Sequence, residues 1–158
     1  MANIFNEDFS EFISCFNKQE VEYILVGGMA VILNGYNRTT GDMDVWVKKS
    51  GDNYDRIVKA FHNFGMPVFD MAKEKFLGKQ FYVWSFGRDP VRIDLMTGVK
   101  GLDFDDAFGN AQYFTEGNVA FRFLHINSLI QAKQASGRHR DMDDIEQLSK
   151  NGMWGVPV

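Results

Sequence analysis

The spacing of apolar positions changes several times along the chain, and each change marks an element. Phe9, Phe12, Ile13 and Phe16 recur at i, i+3, i+4 and i+7, one stripe of a helix from about Glu7 to Lys18 with Asn6 as its cap. From Val21 the texture becomes Val-Glu-Tyr-Ile-Leu-Val, then Gly27-Gly28, then Met-Ala-Val-Ile-Leu before Asn34-Gly35. That order predicts strand, tight turn, short buried helix and stop. Asp42-Met-Asp-Val-Trp-Val-Lys has strand composition, although its first and third residues are acids. Ile57, Val58, Phe61 and Phe64 predict a helix from about Asn53 to Phe64, ended by Gly65 and Pro67. Phe81 to Phe86 and Val91 to Met96 predict a hairpin across Gly87-Arg-Asp-Pro90, and Gln112 to Thr115 with Val119 to Phe123 a smaller one. Two helices should close the chain, one from about Ser128 to Ala135 and one from Asp141 to about Lys150. With no internal repeat or linker, the expectation is one α+β domain over residues 1–150, a short mixed sheet backed by helices, followed by a tail at 151–158.

Composition sharpens this picture. The 158 residues are 45% hydrophobic and include 15 phenylalanines, enough apolar side chain for a packed core. Seventeen Lys and Arg against 21 Asp and Glu give a net charge of −4, so no broad basic field draws the molecule onto nucleic acid or anionic lipid. A single cysteine, Cys15, excludes an internal disulfide and a multi-cysteine zinc site. No run of about 18 apolar residues exists to span a membrane, and the start of the chain lacks signal-peptide character, so a cytoplasmic location is expected. The acids divide as 14 Asp to 7 Glu. Short aspartates serve caps, turns and metal sites better than helix interiors.

Asp42 and Asp44 are two residues apart, which on a strand points both carboxylates to one face. Like charges so placed repel, and a shared Mg²⁺ is the usual resolution; alternatively, Asp42 belongs to the turn with Gly41 and Asp44 sits at an edge. Asp94 lies between Ile93 and Leu95, where a lone charge would be costly, so it requires a partner. If its strand lies beside that of Asp42 and Asp44, three carboxylates converge in an arrangement able to hold two divalent ions about 3.5–4 Å apart. Arg92, on the same face of the same strand, is the alternative partner.

The ordered set Gly27-Gly28, Arg38-x-Thr40-x-Asp42-x-Asp44 and Asp94 resembles the motif of the DNA polymerase β-type nucleotidyltransferase superfamily. It is most similar to small prokaryotic members related to the nucleotidyltransferases of abortive-infection and toxin–antitoxin systems. The likeness covers Val21 to about Leu95. It implies that Asp42, Asp44 and Asp94 bind Mg²⁺ (or Mn²⁺) and that Asp94 helps activate the attacking hydroxyl. Gly27 and Gly28 would leave backbone donors to cradle a triphosphate, while Arg38 and Thr40 would lie at the phosphate or acceptor, with a loop-ordering salt bridge as the other role for Arg38. A second match, Lys133-x₄-Arg138-x-Arg140-Asp141-x-x-Asp144, resembles the helical ending of small members, where Lys133 would neutralise triphosphate charge and Arg140 stands where the family usually has lysine. Asp141 is better explained as a helix cap, and Asp144 as a partner for Arg138 or Arg140.

The resemblance therefore implies an enzyme moving a nucleoside monophosphate from an NTP to a hydroxyl or phosphate acceptor and releasing pyrophosphate. The acceptor is open among tRNA, a protein side chain and a small molecule, and a partner protein from a defence pair fits the same relatives. The alternative is a non-catalytic nucleotide-binding or antitoxin-like module of the same fold. Other patterns carry less. Gly78-Lys79 lacks the remaining P-loop residues, Asp103-Phe-Asp-Asp reads as a capped helix start, and His62, His125 and His139 are too scattered for zinc. The Phe-Tyr-Val-Trp run at 81–84 could stack a base, but strand and hairpin packing is its ordinary explanation.

Overall fold

The computed structural model describes residues 6–35, 41–88 and 91–137. Helix α1 (Glu7–Lys18) begins where Asn6 accepts a hydrogen bond from the Phe9 amide at 2.9 Å. It is followed by β1 (Tyr23–Val26), α2 (Gly27–Leu33), β2 (Asp42–Val47), α3 (Gly51–Phe64), the single-turn α4 (Lys73–Phe76), and strands β3 (Val83–Arg88) and β4 (Val91–Met96). Helix α5 (Phe104–Asn110), the hairpin β5 (Gln112–Glu116) and β6 (Val119–Phe123), and α6 (Ile126–Ser136) complete the described chain. The result is the expected α+β architecture. A six-stranded mixed sheet runs in the order β3-β4-β2-β1-β6-β5. At its centre β1 is antiparallel to β2 and parallel to β6, β2 is parallel to β4, and both outer pairs are antiparallel.

Strand alternation divides the molecule into two layers. Tyr23, Leu25, Met43, Val45, Ile93 and Leu95 pack in one core with α1 and α3, where the Phe12 ring meets Phe16, Phe61 and Phe64 at centroid distances of 4.5–5.5 Å. Ile24, Val26 and Trp46 point the other way and join Ala30 of α2, Ala107 of α5 and Leu129 and Ile130 of α6 in a second core. Buried Asn53 ties α3 to the sheet: its side chain accepts from the Glu22 amide and donates to the Glu22 and Lys48 carbonyls. These backbone groups at the strand ends are thereby satisfied.

Several boundaries differ from the sequence expectation for local reasons. The strand expected from Phe81 starts at Val83 and runs to Arg88. Phe81 lies outside it and is 69% exposed, whereas Trp84 and Phe86 are buried. Helix α3 begins two residues before Asn53 because Ser50 caps it, accepting from the Asn53 amide at 3.2 Å. Asp103 does cap α5, accepting from the Asp106 amide. Helix α6 ends at Gly137, whose φ of 65° suits glycine at a helix stop. The last expected helix, the tail and Arg38, Thr40, Arg138, Arg140, Asp141 and Asp144 lie outside the described residues. Among the described residues, no helix is long and apolar enough to cross a membrane.

Candidate active site

The site grows from the register of β2 on β4. In this parallel pair Asp44 stands directly opposite Asp94, and on the far side of Asp94 the antiparallel pairing with β3 places Ser85. On the other side Asp44 stands opposite Val26, the residue before Gly27. Ser85, Asp94, Asp44 and the start of α2 therefore form one row across the sheet. The neighbouring row sets Asp42 opposite Arg92.

Two carboxylates meet here. Asp44 is pushed up to about 6 by burial first, then by the negative charges of Asp94 and Asp42 and a hydrogen bond with Asp94, with Arg92 pulling weakly the other way. Asp94 is held differently. It accepts from the Ser85 hydroxyl at 2.6 Å and from Arg92 Nε at 3.2 Å, and its side chain is only 14% exposed. Arg92 thus takes the part of ion-pair partner while Asp94 also lies beside Asp44. Asp42, half-buried, contributes charge to the pair. The expected convergence of three carboxylates is realised as a contact of two with the third nearby. Among the described residues, no set of three acidic, histidine or cysteine side chains is gathered to hold a metal ion.

Gly27 is fixed by this arrangement. Its φ is 63°, and a Cβ there would collide with the carboxylate of Asp44. Only glycine relieves both constraints, the left-handed backbone and the approach of the side chain. Gly28 follows in the first turn of α2, whose cap residue, Val26, supplies no side-chain acceptor.

A cleft of about 350 Å³ opens over the row and is lined by Gly27, Asp44, Asp94, Met96, Gly98 and Lys133 among others. Lys133 arrives from α6 and is 7% exposed. Gly27, Asp44, Asp94 and Lys133, drawn from β1–α2, β2, β4 and α6, thus share one cavity. Arg92 is the alternative partner that the sequence offers Asp94 one strand period away, and the two are in contact. Ser85 was not among the candidates, although it interrupts Trp84 and Phe86 at the alternation that marks the acidic face.

No family model matches the chain, and no curated protein does. Among solved structures it is similar to a Thermotoga maritima protein provisionally assigned as a nucleotidyltransferase. The identity is 12%, the match covers 90% of this chain and 91% of that one, and the TM-score is 0.60. At this identity the comparison shows a shared fold, a mixed α+β sheet with its helices.

Proposed function

We propose that the chain is a nucleotidyltransferase that moves a nucleoside monophosphate from an NTP to a hydroxyl or phosphate acceptor. In that reaction the acceptor oxygen attacks the α-phosphorus, the bond from that phosphorus to the bridging oxygen breaks, and pyrophosphate leaves. The observation that carries the reading is the pairing of Asp44 with Asp94 in a cleft that also holds Gly27 and Lys133. The fold of the Thermotoga maritima protein is consistent with it.

The donor chemistry suits a hard divalent cation: short carboxylates on one sheet face, crowded and buried enough that Asp44 is pushed up to about 6. Asp44 and Asp94, which meet in the cleft, would offer their carboxylates to Mg²⁺ or Mn²⁺, with Asp42 adding negative charge nearby; the ion when bound supplies charge neutralisation at the reacting phosphoryl group. The remaining work belongs to the chain. Asp94, oriented by Ser85 and Arg92, accepts the proton of the acceptor hydroxyl. The Lys133 ammonium offsets the negative charge of the triphosphate. The amides at the start of α2, held close by Gly27, donate to phosphate oxygens. By the resemblance to nucleotidyltransferases, Arg38 and Thr40 would serve the phosphates or the acceptor, and Arg140, where the family usually has lysine, would serve the nucleotide.

A nucleotide-binding module without transfer is the second reading, favoured by the engagement of Asp94 with Arg92. Pyrophosphate release separates the two. With Mg²⁺ or Mn²⁺ and each NTP in turn, the wild type is expected to release pyrophosphate and the Asp44→Asn variant to lose that release. Metal-dependent NTP binding with no release from any NTP would assign the chain to the binding module.

A further inference from the structure

A second pocket, of about 250 Å³, meets the carboxylate cleft at Gly98, which lines both. Its walls include Trp46, Lys48, Lys49, Phe81 and Phe104. Phe81 is the residue that sequence patterning assigned to strand packing, yet its ring is 69% exposed at the mouth of this pocket. It rests against Gly98, where a Cβ would run into the ring, and Lys49 Nζ stands 5.0 Å from the ring centroid. An aromatic side chain left in water, seated on glycine and facing a cavity, has the construction of a stacking platform.

The polar lining favours a flat neutral ring over another phosphate. Lys48 pairs with Asp105 at 3.1 Å, and Asp103 lies in the same wall, so two lysines are offset by two aspartates. Lys49 makes no ion pair with a carboxylate among the described residues; it donates to the Gln80 carbonyl at 3.3 Å and stays at hand for a ring carbonyl or ring nitrogen. Trp46, walling the same pocket, carries the one buried side-chain polar atom among the described residues without a hydrogen-bond partner, its Nε1. Position sets the scale. From Asp44 to Lys48, one residue past the end of β2, four strand steps cover about 13 Å, comparable to the span of a nucleoside 5′-phosphate.

We infer that this pocket is the nucleobase subsite for the donor NTP, with Phe81 stacking on the base and Lys49 meeting its polar edge. This rests on the nucleotidyltransferase reading, because the α-phosphate must lie at the Asp44 and Asp94 end. The test titrates the full chain calorimetrically with non-hydrolysable NTP analogues and, separately, with inorganic tripolyphosphate, both with Mg²⁺. In the wild type the analogue should bind more tightly than tripolyphosphate. Phe81→Ala should weaken the analogue about tenfold and leave tripolyphosphate unchanged, while Phe81→Trp should restore the analogue. An equal loss for both ligands, or no loss for either, would overturn the subsite and leave nucleotide binding intact. If the wild type binds neither ligand, the nucleotide reading fails and the subsite falls with it. Because Phe81 is exposed, the alanine variant should keep the wild-type melting temperature, which checks that any loss is local.

Discussion

The two faces of the sheet follow different rules. Toward α1 and α3 the strands β1, β2 and β4 present Tyr23, Leu25, Met43, Val45, Val47, Ile93 and Leu95, and the helices answer with a cluster of aromatic rings. Toward α2 and α6 the same strands present Asp42, Asp44, Asp94 and Arg92 beside Ile24, Val26 and Trp46. One strand shows both behaviours: Met43, Val45 and Val47 are fully buried on one side, while Asp42 and Asp44 crowd the other. The first face holds the fold together. The second accepts a repulsion that a structural design would remove, the pattern expected where a ligand is to supply the missing charge.

Breaking the first face should have the largest effect. Phe61→Ala removes a ring that touches Phe12, Phe16 and Phe86. It should cost about 3–5 kcal/mol, read as a large fall in the denaturant midpoint. On the acidic face, Gly27→Ala should cost about 1–3 kcal/mol from its backbone conformation alone. It should also displace Asp44, so pyrophosphate release falls further than stability does.

Asp44→Asn should reverse the sign of the stability change. Burial and neighbouring charge raise the folded-state pKa of Asp44 above its ordinary value, so its ionised form is penalised only in the folded protein. Wild-type stability is therefore greatest, as far as this group is concerned, below about pH 4, and falls as the pH rises through about 6. The asparagine variant escapes that loss. At pH 8 its melting temperature should match or exceed that of the wild type, with a stability gain on the order of 1 kcal/mol, and the gain should vanish near pH 4. A clear loss at pH 8 would show that the carboxylate stabilises the fold. The smallest effect belongs to Ser85→Ala, which removes one hydrogen bond to Asp94 at the open end of the row. About 0.5–1 kcal/mol in thermal melting and a several-fold fall in pyrophosphate release are expected.

The fold was legible in the sequence where period and punctuation agreed. Phe9, Phe12, Ile13 and Phe16 with Asn6 mark α1 at both ends, because the stripe and its cap are local properties. Helix α4 escaped, since one turn is too short to show a period, and β3 was placed two residues early because aromatic Phe81 and Tyr82 resemble strand while lying before the ladder. The parity of Asp42 and Asp44 reveals their shared face, but the register that sets Asp94 beside Asp44 rather than Asp42 is fixed by long-range pairing. Arg92 is readable from its place one strand period before Asp94, whereas Ser85 enters only through the pairing of β3 with β4. The exposure of Phe81 was likewise hidden, because a ring at a pocket mouth and a ring in a core have the same letters around them.

The parallel pairing of β2 with β4 also governs when the carboxylates can meet during folding. Parallel neighbours cannot be joined by a tight turn, and here α3, α4 and β3 all intervene. The entropy of closing that long loop must be met before Asp44 and Asp94 become neighbours. A nascent chain that ends before Asp94 cannot form the pairing that joins the two acids. The chemistry is thereby withheld until most of the central sheet exists.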